Sequence, residues 1–430
     1  MTEYLPRIID SELSLRLEAF GATLIVGPKW CGKTTTGERQ AKSVLRLQDP
    51  DRRESYLQTA DVKPSVLLRG ANPRLIDEWQ VAPALWDAVR ADVDRRQEEG
   101  LFILTGSTSV EDDKIMHSGV GRISRMKMYP MSLFESRESN GKISLKALFD
   151  NPTLEIDGIS SELSIENLVF AACRGGWPAA LRRKSDAAKL LIARDYLTAV
   201  CESDVSTVDG VRRNPVWTRT ILRSYARNVS TLVSKANILK DVVANASSMT
   251  TATMDAYINA LERLFVIEDV DAWNPAIRSA TTIRSGKKRG FVDPSIAAAA
   301  MGLTPDYLLT DLKTFGFLFE CLCIRDLKIY SQALGGRVSY YRDRYGLESD
   351  AVLHLDDGRF ALIEFKLGSR EIEEGANHLL QIKELIRKHN EQEAQTPLRE
   401  PDLLMVVTGG DMAYTRPDGV KIVPIGALRN

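Results

Sequence analysis

The chain has 430 residues, 44% hydrophobic and 27% charged, a balance that suits a folded protein of two or three domains. Its formal net charge of -1 excludes a global attraction to nucleic acid or anionic membrane, so any such contact has to be local. The N-terminus lacks a secretory pattern, no run approaches about 20 apolar residues, and the five cysteines form no CxxC pair. A cytoplasmic location follows, with no membrane contact, zinc ribbon or disulfide framework expected.

The first segment reads as α/β. Ala22–Val26 is an apolar run entering a glycine-rich turn, and Thr34–Leu47 has helical composition. Ser65–Leu68 and Arg74–Ile76 read as strands, Ala84–Glu98 as a helix stopped by Gly100, and Leu101–Leu104 as a buried strand. Strands alternating with helices of this length predict a parallel sheet.

Gly27-Pro28-Lys29-Trp30-Cys31-Gly32-Lys33-Thr34, followed by Thr35, fits the phosphate-binding loop pattern between a strand and a helix. Its glycines let backbone N–H groups close on a β-phosphate, and the helix N-terminus adds positive potential. Lys33 would reach the β- and γ-phosphates of ATP, and Thr34 would ligate Mg²⁺. Cys31 reads as a small loop filler. Asp77, ending a strand, would hold the same Mg²⁺, and its neighbour Glu78 would act as the base toward water. Ser107 or Thr105, at the tip of the next strand, could sense the γ-phosphate, position water, or simply cap the strand. Arg122 or Arg125 could approach the γ-phosphate, in cis or from a neighbouring copy, or merely be solvated.

From about Lys142 to Val211 the pattern is mainly helical, broken by Gly175-Gly176-Trp177-Pro178, which reads as a turn with a buried aromatic. Val211–Asp271 reads as short helices followed by a β-like Phe265–Val270, which suggests a winged helix. The stretch from Arg212 to Lys240 is basic, with Arg219, Arg223 and Arg227 on one helical face, a surface that could contact DNA or RNA phosphates. Against this, Thr250–Phe265 carries Asp255 and Glu262 with Arg263 alone, so a protein-binding or packing module is an equal alternative. Ser285-Gly286-Lys287-Lys288-Arg289 reads as a solvated basic loop, and Glu391–Thr396 as a polar loop.

The last region returns to mixed α/β. Phe291-Val292-Asp293-Pro294 reads as a strand end, an N-cap and a first helical proline, and Phe315–Ile329 as a helix. The four histidines, His117, His354, His378 and His389, show no metal spacing.

GPKWCGKTT, RLIDEWQ, LTGSTS, the GR…YPMSLFE stretch and GGWPAAL, in this order, resemble a group of bacterial and archaeal AAA-like ATPases with a C-terminal domain of unknown function. The resemblance covers nearly the whole chain. It implies an α/β P-loop NTPase core with a parallel sheet over residues 1–140, a helical lid over 141–210, a winged helix over 211–272 and a mixed α/β restriction-endonuclease-like domain, of PD-(D/E)XK type, over 273–430. Asp350, Glu364 and Lys366, with Glu320 upstream, resemble the carboxylate–lysine signature of such nucleases, in which Asp350 and Glu364 would share a second Mg²⁺. A three-residue Asp356-Asp357-Gly358 turn with Gly358 left-handed would place Asp350 opposite Glu364; a two-residue turn would not. A salt-bridged surface is the plainer alternative.

The function expected is ATP binding and hydrolysis whose nucleotide state controls engagement of a partner, nucleic acid or protein, by the C-terminal half. The alternatives are an ATP-regulated, Mg²⁺-dependent nuclease and a nucleotide-gated, non-enzymatic switch, and either could act as an oligomer.

Overall fold

The computed structural model describes residues 4–107, 119–244, 249–275, 286–392 and 397–430. His117, Ser285 and the end of the Glu391–Thr396 loop lie outside them. Two compact units result, the first of residues 1–130, 202–213 and 257–266, the second of 131–201, 214–256 and 267–430.

In the first unit, β1 (Ala22–Val26), β2 (Ser43–Arg46), β3 (Arg74–Asp77), β4 (Phe102–Gly106) and β5 (Ile123–Lys127) form a parallel sheet in the order β2-β3-β4-β1-β5. Its central strands are apolar on both faces, as a doubly covered parallel sheet requires. Ile25, Leu75, Ile103 and Met126 pack with Leu13 and Leu17 of α1 (Ile9–Ala19). Leu24, Ile76, Phe102 and Leu104 pack with Leu85, Trp86, Val89 and Val93, the buried stripe of α4 (Ala84–Arg96).

Two expectations fail here. The helix after the loop, α2 (Lys33–Gln40), stops well short of Leu47, because Ser43–Arg46 leaves it to pair residue by residue with Arg74–Asp77. Ser65–Leu68 is no strand: Pro64–Val66 is a 3-10 turn, and Leu67 and Leu68 are apolar because they close the core beneath α3 (Arg53–Val62).

The second unit opens its helices on side-chain caps, among them Ser164, Ser185, Asn214, Ser234, Asp293 and Asp311. The Asp293 cap and Pro294 start stand where the sequence puts them. The predicted helix Phe315–Ile329 extends to Leu312–Ala333. Phe265–Val270 is less regular than a strand, contributing only isolated bridges, Ile267 to Phe291 and Val270 to Lys288.

In the second unit β6 (Ile143–Ser144) pairs in parallel with Leu428–Arg429, while the mixed sheet runs β11-β12-β10-β9-β8-β7, from β7 (Gly336–Arg342), β8 (Glu348–Leu355), β9 (Phe360–Lys366), β10 (Leu403–Thr408), β11 (Tyr414–Thr415) and β12 (Lys421–Pro424). Ile372, Ala376, Leu379, Ile382 and Ile386 of the helix Ile372–Gln392 cover Val352, Phe360, Leu362, Leu404 and Val406. The chain is therefore α/β, with a parallel sheet first and a mixed one last.

The Gly175-Gly176-Trp177-Pro178 break serves the core. Trp177 is fully buried and donates to Ser295 Oγ at 3.0 Å, and the Gly176 N–H donates to Asp293 at 3.0 Å. A side chain at Gly176 would meet the Met131 carbonyl at 2.1 Å. Arg325, 3% exposed, bridges Asp293 at 2.9 Å and Asp326 at 2.7 Å, and Asp326 accepts the Leu133 N–H at 2.9 Å. The YPMSLFE and GGWPAAL stretches thus meet through one buried ion network. Among the described residues, no helix is long and apolar enough to cross a membrane.

Candidate functional site

The C-terminal edge of the parallel sheet gathers the polar residues that the sequence singles out. Ligands of open α/β sheets bind at this edge, where neighbouring connections diverge. Here β1 leads by α2 toward β2 on one side, while β4 crosses over to β5 on the other. Gly27, with φ 150°, leaves β1 so close to β5 that an added Cβ would lie 2.2 Å from the Met128 carbonyl. Gly32, with φ 106°, precedes α2, so the loop ends on free helix N–H groups.

Within the loop, Pro28 and Cys31 are buried, and Trp30 is about half exposed in a left-handed conformation. Cys31 is fully buried, and its carbonyl accepts from Arg7 Nη1 at 2.8 Å. Arg7 also donates to the Tyr129 carbonyl at 2.8 Å, which ties the loop to the end of β5. Lys29 pairs with Asp204 at 2.6 Å. Lys33 is 5% exposed and donates to the Gly27 and Pro28 carbonyls at 2.9 and 2.8 Å, which holds its ammonium inside the arch. Thr35 is exposed on the first turn of α2.

Asp77 and Glu78 are each held by a different hydroxyl, Thr105 of β4 and Ser107 just after it. Asp77 Oδ1 accepts from Thr34 Oγ1 at 2.6 Å and from Thr105 Oγ1 at 2.7 Å. Glu78 Oε2 accepts from Ser107 Oγ at 3.0 Å and from Gln80 Nε2. The Glu78 backbone is left-handed, φ 56° and ψ 50°, and its N–H donates to Thr105 Oγ1 at 3.1 Å. A carboxylate and a hydroxyl in contact beside a loop of free N–H groups fit a magnesium–nucleoside triphosphate by donor chemistry: hard oxygens for the cation, amides for phosphate.

Arg122 does not join them. It precedes β5, whose first residue Ile123 pairs with Ala22, the first of β1, and so lies at the opposite end of the sheet from Gly27. Four strand steps of ~13 Å separate the two ends. Its guanidinium bonds Asp94 on α4 at 2.7 Å. The structure therefore does not bring Arg122 together with the loop of its own chain. Arg125 lies over the Trp86 ring at 5.2 Å and serves packing.

In the second unit, the β8–β9 ladder pairs Val352 with Leu362 and His354 with Phe360, and Gly358 is left-handed at φ 87°. This is the three-residue turn, and continuing the register by one step sets Asp350 opposite Glu364. The carboxylates nevertheless take different partners. Asp350 Oδ1 lies 3.3 Å from Lys288 Nζ, and Oδ2 accepts the Phe365 N–H at 3.0 Å. Glu364 Oε2 lies 3.2 Å from Lys366 Nζ and 3.8 Å from His378 Nδ1, while its Oε1 is buried with no hydrogen-bond partner among the described residues. Burial first, and the nearby Asp350 charge second, push the Glu364 carboxyl up to about 9. Burial likewise raises Glu320 to about 8, against the pull of Lys288 at 2.6 Å.

Lys288 and Arg289 correct the solvated-loop reading. Lys288 is 5% exposed between Glu320 and Asp350, and Arg289 is buried against Asp269 and Tyr225. Nothing local marks them as buried, because their partners stand 20 to 64 residues away. Arg7 and Asp204 are missed for the same reason, their partners standing 24 to 175 residues away.

The helix Pro215–Arg227 exposes Arg219, Arg223 and Arg227 to a groove of about 670 Å³, with Asp241 on its far wall, 3.6 Å from Arg227.

Residues 19–136 match the model of an AAA domain. Residues 315–428 match that of a domain of unknown function, DUF4143, and residues 165–307 that of another, DUF8612. No curated protein matches the chain. Among solved structures, it is similar to a Walker-type ATPase of Pyrococcus abyssi, with 14% identity and a TM-score of 0.43 over 69% of this chain and 96% of that one. It is also similar to Drosophila ORC bound to DNA, with 12% identity and a TM-score of 0.22 over 72% and 93%. The chain thus joins an AAA-like P-loop region to a C-terminal domain of unknown function.

Proposed function

We propose that the protein binds and hydrolyses ATP, and that its nucleotide state governs how the C-terminal half engages a nucleic acid. The observation that carries the first part is the pairing of Thr34 and Thr105 with Asp77, and of Ser107 with Glu78, beside the Gly27–Gly32 arch. In this reading the loop amides and Lys33 bind the phosphates, and Thr34 and Asp77 would hold Mg²⁺, which would supply positive charge beside them. Glu78 accepts a proton from the attacking water, with Ser107 and Gln80 fixing its carboxylate. Lys33 would leave the Gly27 and Pro28 carbonyls for the phosphates, a change of partner rather than of position in the loop.

Support for the second part comes from the arginine stripe. Arginines four residues apart on one helix repeat at roughly 6 Å, and they face a groove rather than a flat surface. Three helices, Pro215–Arg227, Lys235–Val243 and Thr251–Arg263, followed by the bridges of Ile267 with Phe291 and Val270 with Lys288, support a winged-helix reading. The β8–β9 hairpin register supports the restriction-endonuclease-like reading of the last domain, as a fold rather than as an activity.

The test is ATP turnover measured alone, with single-stranded DNA and with duplex DNA, for wild type and Lys33→Ala. The expected result is turnover that the Ala variant loses and that one form of DNA stimulates. Equal turnover in the Ala variant would remove the ATPase reading; turnover indifferent to both DNAs would remove nucleic acid as the partner.

A further inference from the structure

Lys288 is held from several sides. Its backbone exchanges two hydrogen bonds with Val270, N–H to O at 2.9 Å and O from N–H at 2.8 Å. Its ammonium lies 5.8 Å from the centre of the Tyr340 ring, and the Tyr340 hydroxyl is bonded to the Gly286 carbonyl. From this position Nζ reaches Glu320 at 2.6 Å and Asp350 at 3.3 Å, with the side chain 6% exposed.

A shared Mg²⁺ at Asp350 and Glu364 needs an octahedron of oxygens at about 2.0–2.1 Å. The residues present do not fit it. Both oxygens of Asp350 are in use, one facing Lys288 and the other holding the Phe365 N–H. Glu364 faces Lys366 and His378 with Oε2, which leaves Oε1 as the one oxygen of this carboxylate pair with no hydrogen-bond partner among the described residues, far short of six. Among the described residues, no three carboxylate, histidine or cysteine side chains converge as a metal site. A divalent cation would moreover sit beside a buried ammonium of like sign, where little water screens the repulsion.

We propose that Lys288 is the resident cation of the C-terminal carboxylate site, its ammonium holding Glu320 and Asp350 so that Asp350 is withheld from a metal shared with Glu364, and that the site is an ion-pair lock closed to divalent cations. The lock joins three stretches distant in sequence, the segment 286–291, the helix Leu312–Ala333 and β8, with no metal required. It excludes a resting Mg²⁺-dependent nuclease and leaves the ATPase reading untouched, since it uses none of the same residues.

Mn²⁺ uptake by the full chain without nucleotide, read by electron paramagnetic resonance, tests it. Wild type and Asp350→Asn are expected to bind Mn²⁺ identically. A Mn²⁺ site present in wild type and lost in Asp350→Asn overturns the proposal, and this comparison needs no change at Lys288. Lys288→Gln keeps much of the stem and a donor for Glu320, and far-UV circular dichroism checks its fold. Folded Lys288→Gln is expected to gain one Mn²⁺ site that Lys288→Gln with Asp350→Asn loses; no gain in the folded variant also overturns the lock.

Discussion

Ser107 Oγ donates to the Glu78 carboxylate at 3.0 Å, while the Glu78 backbone stands in the left-handed region at φ 56°. A non-glycine residue adopts that conformation at a cost of roughly 1–3 kcal/mol and keeps it only where its surroundings enforce it. Thr105, bonded to the Glu78 N–H and to Asp77, and Ser107 and Gln80, bonded to its carboxylate, are that enforcement. These contacts hold the Glu78 carboxylate in one orientation.

Glu78→Gln is expected to keep ATP affinity and lose roughly 10²–10⁴-fold in kcat, the usual range for a removed general base. Ser107→Ala leaves the base in place but held by Gln80 alone, so kcat should fall by about tenfold with KM unchanged. Steady-state turnover with a separate nucleotide-binding titration distinguishes the two; equal turnover in the Gln variant would remove Glu78 as base.

Much of this site is legible in the sequence, because a phosphate loop and an acid pair are local patterns tied to strand ends. The tip of β4 is legible only as polar: that Thr105 serves Asp77 and Ser107 serves Glu78 depends on β3 and β4 being neighbours, which pairing across the sheet decides. Arg122 misleads because a basic residue after a glycine looks like a finger, whereas β5 runs parallel to β1 and carries Arg122 to the wrong end. The hairpin register at Asp350 and Glu364 is readable, since alternation and a left-handed glycine fix it. The burial of Lys288 is not, since a lysine in a Gly-Lys-Lys-Arg run carries no period.

Arg223→Glu with Arg227→Glu is expected to abolish stimulation of turnover by DNA while ATP turnover without DNA stays as in wild type. Removing two phosphate contacts should also reduce the slope of log affinity against log salt by about 2. Fluorescence anisotropy at several salt concentrations checks it; an unchanged slope would place the nucleic acid elsewhere.

Arg325→Met leaves Asp293 and Asp326 buried without their cation. Loss of one partner of a buried ion pair costs about 3–5 kcal/mol. Urea unfolding should show that loss with an unchanged m-value, and Asp293→Asn should be smaller in effect, since an amide can still receive the Gly176 N–H.

The Glu364 carboxyl, raised to about 9 by burial and then by Asp350, binds a proton in the folded chain that the unfolded chain has released above its ordinary value of 4.5. Between these values the native state holds more protons, so its stability falls as pH rises. Glu364→Gln lacks that loss and should gain stability relative to wild type at pH 8 but not at pH 4. Thermal melts at both pH values measure it, and an equal difference at the two would show that Glu364 is already ionised.

The ion pair of Lys29 with Asp204 at 2.6 Å places one end of a tether inside the phosphate loop and the other in the residues that run directly into the helix of the arginine stripe. Triphosphate oxygens arriving at the loop would compete with Asp204 for that ammonium. Thermodynamic reciprocity then binds the two ends: whatever draws Asp204 away must alter triphosphate affinity by the same factor that triphosphate alters the segment. Asp204→Asn, which frees Lys29, is accordingly expected to tighten ATP binding about 2–5-fold at low ionic strength, with the gain fading as salt is added. Isothermal titration at two salt concentrations reads it, and weaker binding in the Asn variant would mean that the tether holds the loop in its receptive shape instead.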